Sequence, residues 1–282
     1  MTNHWQVAHD KLNALIHQLE QSPTLEPSTL LAELKSLQST LPNHGEAEQV
    51  ILENARFLSV AIHELRTPIT SVRGYADMLT QPAMGELNPM QKTFLGTIRN
   101  NAKRMGALLS DISDINKLRS HTLKLNIAPH DVEDLIAQVE DQSGNLAEEL
   151  KRTLTVSVAQ GLSKVTVDKD FFPRMMMKLV ENALQYSPSD TEIRLMAHQK
   201  GEVVVVVVAD EGIGMTQDEL KMIGTLYWRS DHEVVRQYKG SGLGLAVALG
   251  LAREMGITVK IESVADKGTT ITLEIPCLPA LA

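Results

Sequence analysis

Between residues 51 and 79, apolar side chains recur at Ile51, Ala55, Leu58, Ile62, Leu65, Ile69, Val72, Ala76 and Leu79, in alternating steps of four and three. That spacing is a heptad seam, and a helix carrying it must bury the stripe against partner helices. A turn containing Pro82 and Gly85 follows. Asn88, Pro89 and Gln91 then have the spacing of an N-cap, a first helical residue and the partner that completes a capping box. The second helix presents Leu95, Ile98, Ala102, Met105, Leu108, Leu109, Ile112, Ile115 and Leu118, a stripe wider than a two-strand seam needs. One hairpin cannot cover both stripes, whereas two copies can, as a four-helix bundle about a two-fold axis. A homodimer built on residues 46–119 is therefore expected.

Past Arg119 the period changes. Leu123, Leu125 and Ile127 alternate as a strand, Asp131 is placed to cap a helix to about Leu150, and Leu154, Val156 and Val158 alternate again. A helix from about Asp170 to Tyr186 precedes six consecutive valines, Val203 to Val208, which suit a strand buried on both faces or in the middle of a sheet. A helix, a loop from about Gly224 to Lys239, a second helix and a closing hairpin (Thr258 to Ser263, Thr269 to Ile275) complete an α/β layered domain over residues 120–282. Residues 1–45 read as two short helices, with Leu12, Leu15, Ile16 and Leu19 on one face and Leu30, Leu31, Leu34, Leu37 and Leu41 on another, ended by a break at Pro42-Asn43-His44-Gly45. They are expected to extend the bundle, the alternative being a dock for a separate sensor partner.

Composition narrows the possible partners. The net charge of −8 repels phosphate backbones and anionic lipid, so nucleic acid and membrane are not expected partners. The longest apolar run, Val203 to Ala209, is far short of the roughly 20 residues that span a bilayer, and the polar start lacks a signal-peptide layout. Together with Cys277 as the single cysteine, this reads as a cytoplasmic protein.

Candidate chemistry begins on the first helix. His63 lies beside the seam positions Ile62 and Leu65, where a ring is held by the bundle yet reaches solvent. A neutral imidazole is a nucleophile when one nitrogen is held as N–H and the other keeps its lone pair. Glu64 is adjacent and can accept that N–H. Thr67, four residues on, shares the face of His63, and Pro68 removes a helical donor one turn past it, which is expected to loosen or bend the helix. The contiguous string Ser59-Val60-Ala61-Ile62-His63-Glu64-Leu65-Arg66-Thr67-Pro68 resembles the H-box of histidine kinases that carry a dimerisation and histidine-phosphotransfer domain. By that resemblance His63 accepts a phosphoryl group, Glu64 is the base for its transfer, and Thr67 serves dephosphorylation of the regulator.

Three further strings extend the resemblance. Asp210-Glu211-Gly212-Ile213-Gly214 follows the valine strand, where a carboxylate can accept the exocyclic amine of adenine and glycines let backbone approach the ring. Gly240-Ser241-Gly242-Leu243-Gly244 opens a helix whose free amides suit a polyphosphate. Glu181-Asn182-Ala183-Leu184-Gln185-Tyr186 lies on the preceding helix, and the Asn182 carbonyl oxygen is the candidate ligand for Mg²⁺. In this order the strings resemble the ATP-binding domain shared by histidine kinases, heat-shock chaperone ATPases, type II topoisomerases and mismatch-repair ATPases. The resemblance covers residues 46–276.

The fold class so implied is α+β: an N-terminal helical hairpin forming a dimeric four-helix bundle, then an α/β-sandwich ATPase domain of the GHKL (Bergerat) type. The implied function is that of a protein-histidine kinase: ATP-dependent autophosphorylation of His63 and transfer to an aspartate in the receiver domain of a separate response regulator. Phosphatase activity toward that regulator is an added expectation. The implied cofactors are ATP and Mg²⁺. The implied nucleotide ligands are Asn182, Lys178, Gln185, Tyr186, Asp210, Gly212, Gly214, Arg229, Lys239, Gly240, Gly242, Leu243 and Gly244. Two positions depart from the family pattern, which usually has a second Asn where Lys178 stands and a Lys or Arg where Gln185 stands. Lys178 is therefore expected to neutralise phosphate from a different place. The loop containing Tyr227, Trp228, Arg229, Arg236 and Lys239 resembles the family's lid, with Trp228 expected to pack on its own domain. The rival readings are another ATPase of the superfamily and a degenerate kinase that acts as a dimeric scaffold.

Overall fold

The structure is a computed structural model that describes the backbone of residues 44–277 and the side chains of residues 54–277. The helices expected within residues 1–45 lie outside the described residues, apart from the last two positions. Those two, His44 and Gly45, were expected to form a break and instead begin helix α1. The chain divides into two compact units, residues 1–60 and 61–282, and every strand belongs to the second.

Helix α1 (His44–Leu79) runs through Pro68. Proline leaves the Glu64 carbonyl without its helical donor, but the helix continues for eleven residues to Leu79, so Pro68 does not end it. After a single 3₁₀ turn at Pro82–Met84, helix α2 (Pro89–Arg119) starts with the expected capping box. The Asn88 side chain accepts from Gln91 N at 2.9 Å, and Gln91 Oε1 accepts from Asn88 N at 2.9 Å. Alternate rungs of the α1 seam differ in burial: Ile62 and Ala76 are buried, whereas Leu65, Val72 and Leu79 are exposed. Helix α2 does the same, burying Ala102 and Leu109 and exposing Ile98, Met105 and Leu108. Each helix thus has one apolar row satisfied within the chain and one that is not.

The rest of the second unit is a five-stranded mixed sheet, a two-stranded ribbon and the helices that cover them. Strands β2 (Thr153–Val158), β4 (Glu192–Lys200), β5 (Val203–Ala209), β7 (Gly268–Pro276) and β6 (Thr258–Val264) lie side by side in that order, with β2 and β4 parallel and the others antiparallel. The valine strand β5 is the central one, which is why it has no polar alternation. Strand β1 (Ile127–His130) pairs with β3 (Val165–Asp168) alone. Helices α3 (Val132–Glu149), α4 (Phe171–Tyr186) and α7 (Gly244–Glu254) form the second layer. Ile136, Val139, Met176, Leu179, Val247 and Leu251 from these helices share one core with Ile193, Leu195, Val204, Val206, Leu273 and Ile275 of the sheet. The short helices α5 (Gln217–Met222) and α6 (Glu233–Gln237) lie between β5 and α7.

Two local expectations are corrected. Leu123 and Leu125 are not in a strand; they are half-buried side chains packed on the core. The β1–β3 ladder ends at the Ile127–Asp168 pair because Asp168 Oδ2 takes the Asn126 amide at 2.7 Å and the chain beyond Asp168 turns into α4. Asp131 precedes α3 but does not cap it: its carboxylate pairs with Lys164 Nζ at 3.0 Å.

Candidate active site

The His63 ring reaches solvent, as its position beside the seam predicts. The His63 side chain is 77% exposed, and its Nδ1 stands 3.7 Å from Glu64 Oε1. The Thr67 hydroxyl lies against the His63 carbonyl at 3.5 Å, the usual resting place of a helical threonine.

The second group of residues surrounds a cleft of about 570 Å³. Its floor is built where β5 ends. Asp210 Oδ1 accepts from Gly212 N at 2.8 Å and Thr269 N at 3.1 Å, so one carboxylate oxygen ties its loop to β7 and the other makes no hydrogen bond among the described residues. Burial raises the Asp210 pKa above the ordinary aspartate value, and the two backbone donors oppose that rise.

The glycines have a steric reason. A Cβ on Gly212 would meet the Tyr186 carbonyl oxygen at 2.7 Å, and one on Gly214, where φ is +59°, would meet the Val264 carbonyl oxygen at 1.9 Å. Gly268, from the β6–β7 turn, packs equally close on the Asp210 carbonyl. The Ile213 amide also donates to Tyr186 O at 3.1 Å. The carboxylate loop is thereby fixed to the C-terminal end of α4, the helix that carries Asn182.

Asn182 and Gln185 line the cleft from α4, and Gly240, Ser241, Gly242, Gly244 and Lys239 line it from the other side. Leu243 is buried and gives α7 no side-chain cap, which leaves first-turn amides available at the glycine-rich end. Gly242 has φ +71°, and its carbonyl accepts the Tyr227 amide at 3.1 Å. Tyr186 lines the cleft and meets Tyr238 edge-to-face at 6.2 Å between centroids. Arg152 ties the same corner, donating from Nε to the Ser187 carbonyl at 2.9 Å and from Nη2 to the Tyr238 hydroxyl at 3.1 Å.

Two expected nucleotide ligands are already engaged elsewhere. Arg229 lines the cleft and also donates to the carbonyls of Val235 (2.5 Å), Tyr238 (2.7 Å) and Gly240 (3.1 Å), so it braces the segment from Arg229 to Gly240. Lys178 also lines the cleft, but its Nζ is 2.7 Å from Asp111 Oδ1 on α2. Trp228, expected to pack on its own domain, is half-buried in the cleft wall.

Sequence reasoning missed the other half of this contact. Arg174 pairs with Asp114 at 2.5 Å and also donates to the Ser110 hydroxyl, so four charged side chains join α2 to α4. Burial raises the pKa of Asp114 while Arg174 opposes the rise, and burial likewise raises that of Glu181, opposed by Lys178. The one visible sign was two carboxylates, Asp111 and Asp114, set three apart in the apolar stripe of α2.

A helix-borne asparagine, a strand-end aspartate and an uncapped glycine-rich helix start, placed over a mixed sheet, define an ATPase of the GHKL class. In agreement, residues 167–279 match the family model for the histidine kinase-, DNA gyrase B- and HSP90-like ATPase, and residues 53–121 match that for the His Kinase A (phospho-acceptor) domain. The chain belongs to the sensor histidine kinases.

An uncharacterised sensor-like histidine kinase of Rhizobium meliloti is 29% identical over 82% of the chain and 44% of its own length. The histidine protein kinase DivJ of Caulobacter vibrioides is 27% identical over 83% and 39%. The chain spans less than half the length of these relatives. Among solved structures, full-length ShkA in complex with AMPPNP superposes with a TM-score of 0.66 at 25% identity, covering 80% of this chain and 47% of that one. The histidine kinase AdeS of Acinetobacter baumannii gives 0.54 at 18%, covering 77% and 98%, a likeness of fold. No helix among the described residues is long and apolar enough to cross a membrane.

Proposed function

We propose that this chain is the kinase core of a two-component signalling system: it transfers the γ-phosphoryl group of ATP to His63 and then to an aspartate on the receiver domain of a separate response regulator. The observation that carries the reading is a solvent-reaching imidazole with a carboxylate at its Nδ1, in the same chain as a cleft built from Asn182, Asp210 and Gly240–Gly244.

Adenine binds with its exocyclic amine donating to Asp210, in the floor opened by Gly212 and Gly214. The triphosphate runs toward Gly240, Gly242, Leu243 and Gly244, where α7 amides donate to its oxygens, with Lys239 beside them and Gln185 and Tyr186 on the facing wall. Asn182 lines the cleft and makes no side-chain hydrogen bond among the described residues. One free carboxamide oxygen beside a phosphate site fits Mg²⁺, which keeps several waters and binds jointly to one or two side chains and substrate phosphates. Bound there, the ion would neutralise charge on the phosphate oxygens.

Glu64 Oε1, 3.7 Å from His63 Nδ1, takes that N–H by closing the remaining gap, so Nε2 keeps its lone pair and attacks the γ-phosphorus. A P–N bond forms, the bond to the bridging oxygen breaks, and ADP leaves with that electron pair. In the reverse sense the phosphoryl group passes from Nε2 to the regulator's carboxylate. Thr67 would orient a water for regulator dephosphorylation once its hydroxyl turns away from the His63 carbonyl. The exposed rows Leu65, Val72 and Leu79 on α1, with Ile98 and Met105 on α2, support a homodimer through a four-helix bundle. Residues 46–119 serve as the dimerisation and phosphotransfer domain, residues 120–282 as the catalytic domain, and the setting is cytoplasmic.

Incubation with γ-labelled ATP and Mg²⁺ is expected to give an acid-labile label on the wild-type chain and only background on folded His63→Gln. Label that persists in the variant would refute the assignment.

A further inference from the structure

Lys178 stands where two charged groups would claim it. Its stem runs past the phosphate end of the cleft: a Cβ built on Gly244, the first residue of α7, would be 3.7 Å from Lys178 Cδ. Its ammonium is nonetheless 2.7 Å from Asp111, and both side chains are largely out of water, at 17% and 8% exposure. The same cleft is walled on that side by α2 itself, through Arg104, Ala107, Leu108 and Asp111. The phosphate end of the site and the α2–α4 contact are therefore adjacent and share one cation.

We infer that Lys178 is a shared cation, held by Asp111 when α2 is docked on α4 and claimed by the nucleotide's terminal phosphates when the site fills, so that docking and triphosphate binding oppose each other. The inference rests on the nucleotide binding proposed above and adds a regulatory contact to it.

The ammonium has three donors, but a phosphate drawn to it would stand beside the Asp111 carboxylate, and the two anions repel in a site with little water, so each weakens the other's hold on Lys178. A carboxylate held in a partly dry contact pairs strongly, and it becomes costly to bury once its partner leaves. Loss of the Lys178 pair therefore leaves α2 fastened by Asp114 and Arg174 and burdened with an unpaired Asp111. Because linkage is reciprocal, whatever loosens α2 also raises affinity for the triphosphate. A signal that shifts α2 would in this way set how readily the site fills.

The test measures binding of AMPPNP with Mg²⁺ to the full chain. Asp111→Asn is expected to tighten binding about fivefold or more, the lower end of typical coupling between sites. Lys178→Ala is expected to weaken it, and Asp111→Asn combined with Lys178→Ala should match Lys178→Ala alone. Asp114→Asn, which frees no lysine, should tighten binding less than Asp111→Asn. Unchanged or weaker binding by Asp111→Asn overturns the inference, as does equal tightening by Asp114→Asn.

A measurement on the wild type guards against a misfolded variant. AMPPNP with Mg²⁺ should speed hydrogen exchange in residues 107–114 of α2, and unchanged or slower exchange there also overturns the inference. Complete absence of nucleotide binding by the wild type would sink the kinase reading too. Normal binding with an unresponsive Asp111→Asn would sink only the shared cation.

Discussion

Asp168 governs the start of α4 from outside the active site. Its side chain accepts the amides of Asn126 at 2.7 Å, Asp170 at 2.9 Å and Phe171 at 3.0 Å, doing the capping that Asp170, at the N-cap position, does not do. Burial pushes its pKa up, but the three donors outweigh burial and hold it below the ordinary value of 3.8. A lowered carboxylate contributes stability above its unfolded pKa and loses it as pH falls through the folded one. Asp168→Asn should therefore cost about 1–3 kcal/mol at pH 7. The gap from wild type should shrink as the pH falls below about 4, as urea unfolding at several pH values would report. A gap constant with pH would mean that the charge is not what matters.

Among single residues, the gathering of Asn182, Asp210 and the glycines at one cleft was legible because close backbone packing demands fixed residue types within short strings. The partners of Lys178 and Arg174 were not, since which carboxylate meets a given cation is decided by tertiary packing between α2 and α4.

At the scale of elements, period located the long helices, but Asp131 does not cap α3, α1 begins inside the break expected at His44-Gly45, and α6 forms within the stretch expected to be a loop. The Asn88–Gln91 capping box and the valine strand follow from local geometry. Strand ends depend on what lies alongside: Leu123 and Leu125 alternate like a strand, but β3 has already turned into α4 and offers them no ladder. Pro68 is the converse case, a helix breaker inside an element that continues through it. The β6–β7 turn shows a constraint invisible in local pattern. At Gly268, φ is +94° and a Cβ would stand 2.0 Å from the Asp210 carbonyl oxygen, which only chain folding reveals. Gly268→Ala is expected to destabilise by about 3 kcal/mol or more, from backbone strain and overpacking together. It should also weaken nucleotide binding by displacing Asp210. Thermal unfolding and a binding isotherm on the same preparation check both effects, and an unchanged melting temperature would refute the packing account.

For the whole molecule, the half-satisfied seams argue for a second copy. Val72→Asp would put a carboxylate into the interface, where the desolvation penalty is several kcal/mol per ion. Light scattering should then report a monomer for the variant and a dimer for the wild type. A Val72→Asp protein that keeps the wild-type mass would show that this row is not the interface. The expectation of a partner copy came from the sequence, because two stripes exceeded what one hairpin can bury. It could not indicate that α2 also packs on the ATPase layer. There Leu118 fits against Gly250, whose added Cβ would lie 2.6 Å from Leu118 Cδ1.

Arg229 would lower the entropic cost of closure if the loop from about Gly224 to Lys239 folds over a nucleotide, as its resemblance to the family's lid implies. Three carbonyls gathered on one guanidinium make the stretch around Tyr238 a pre-assembled plate. Ordering a free backbone costs about 1–2 kcal/mol per residue. A flap stiffened in advance incurs that entropy loss only at its two joints, so more of the attraction to the ligand is left to show as affinity.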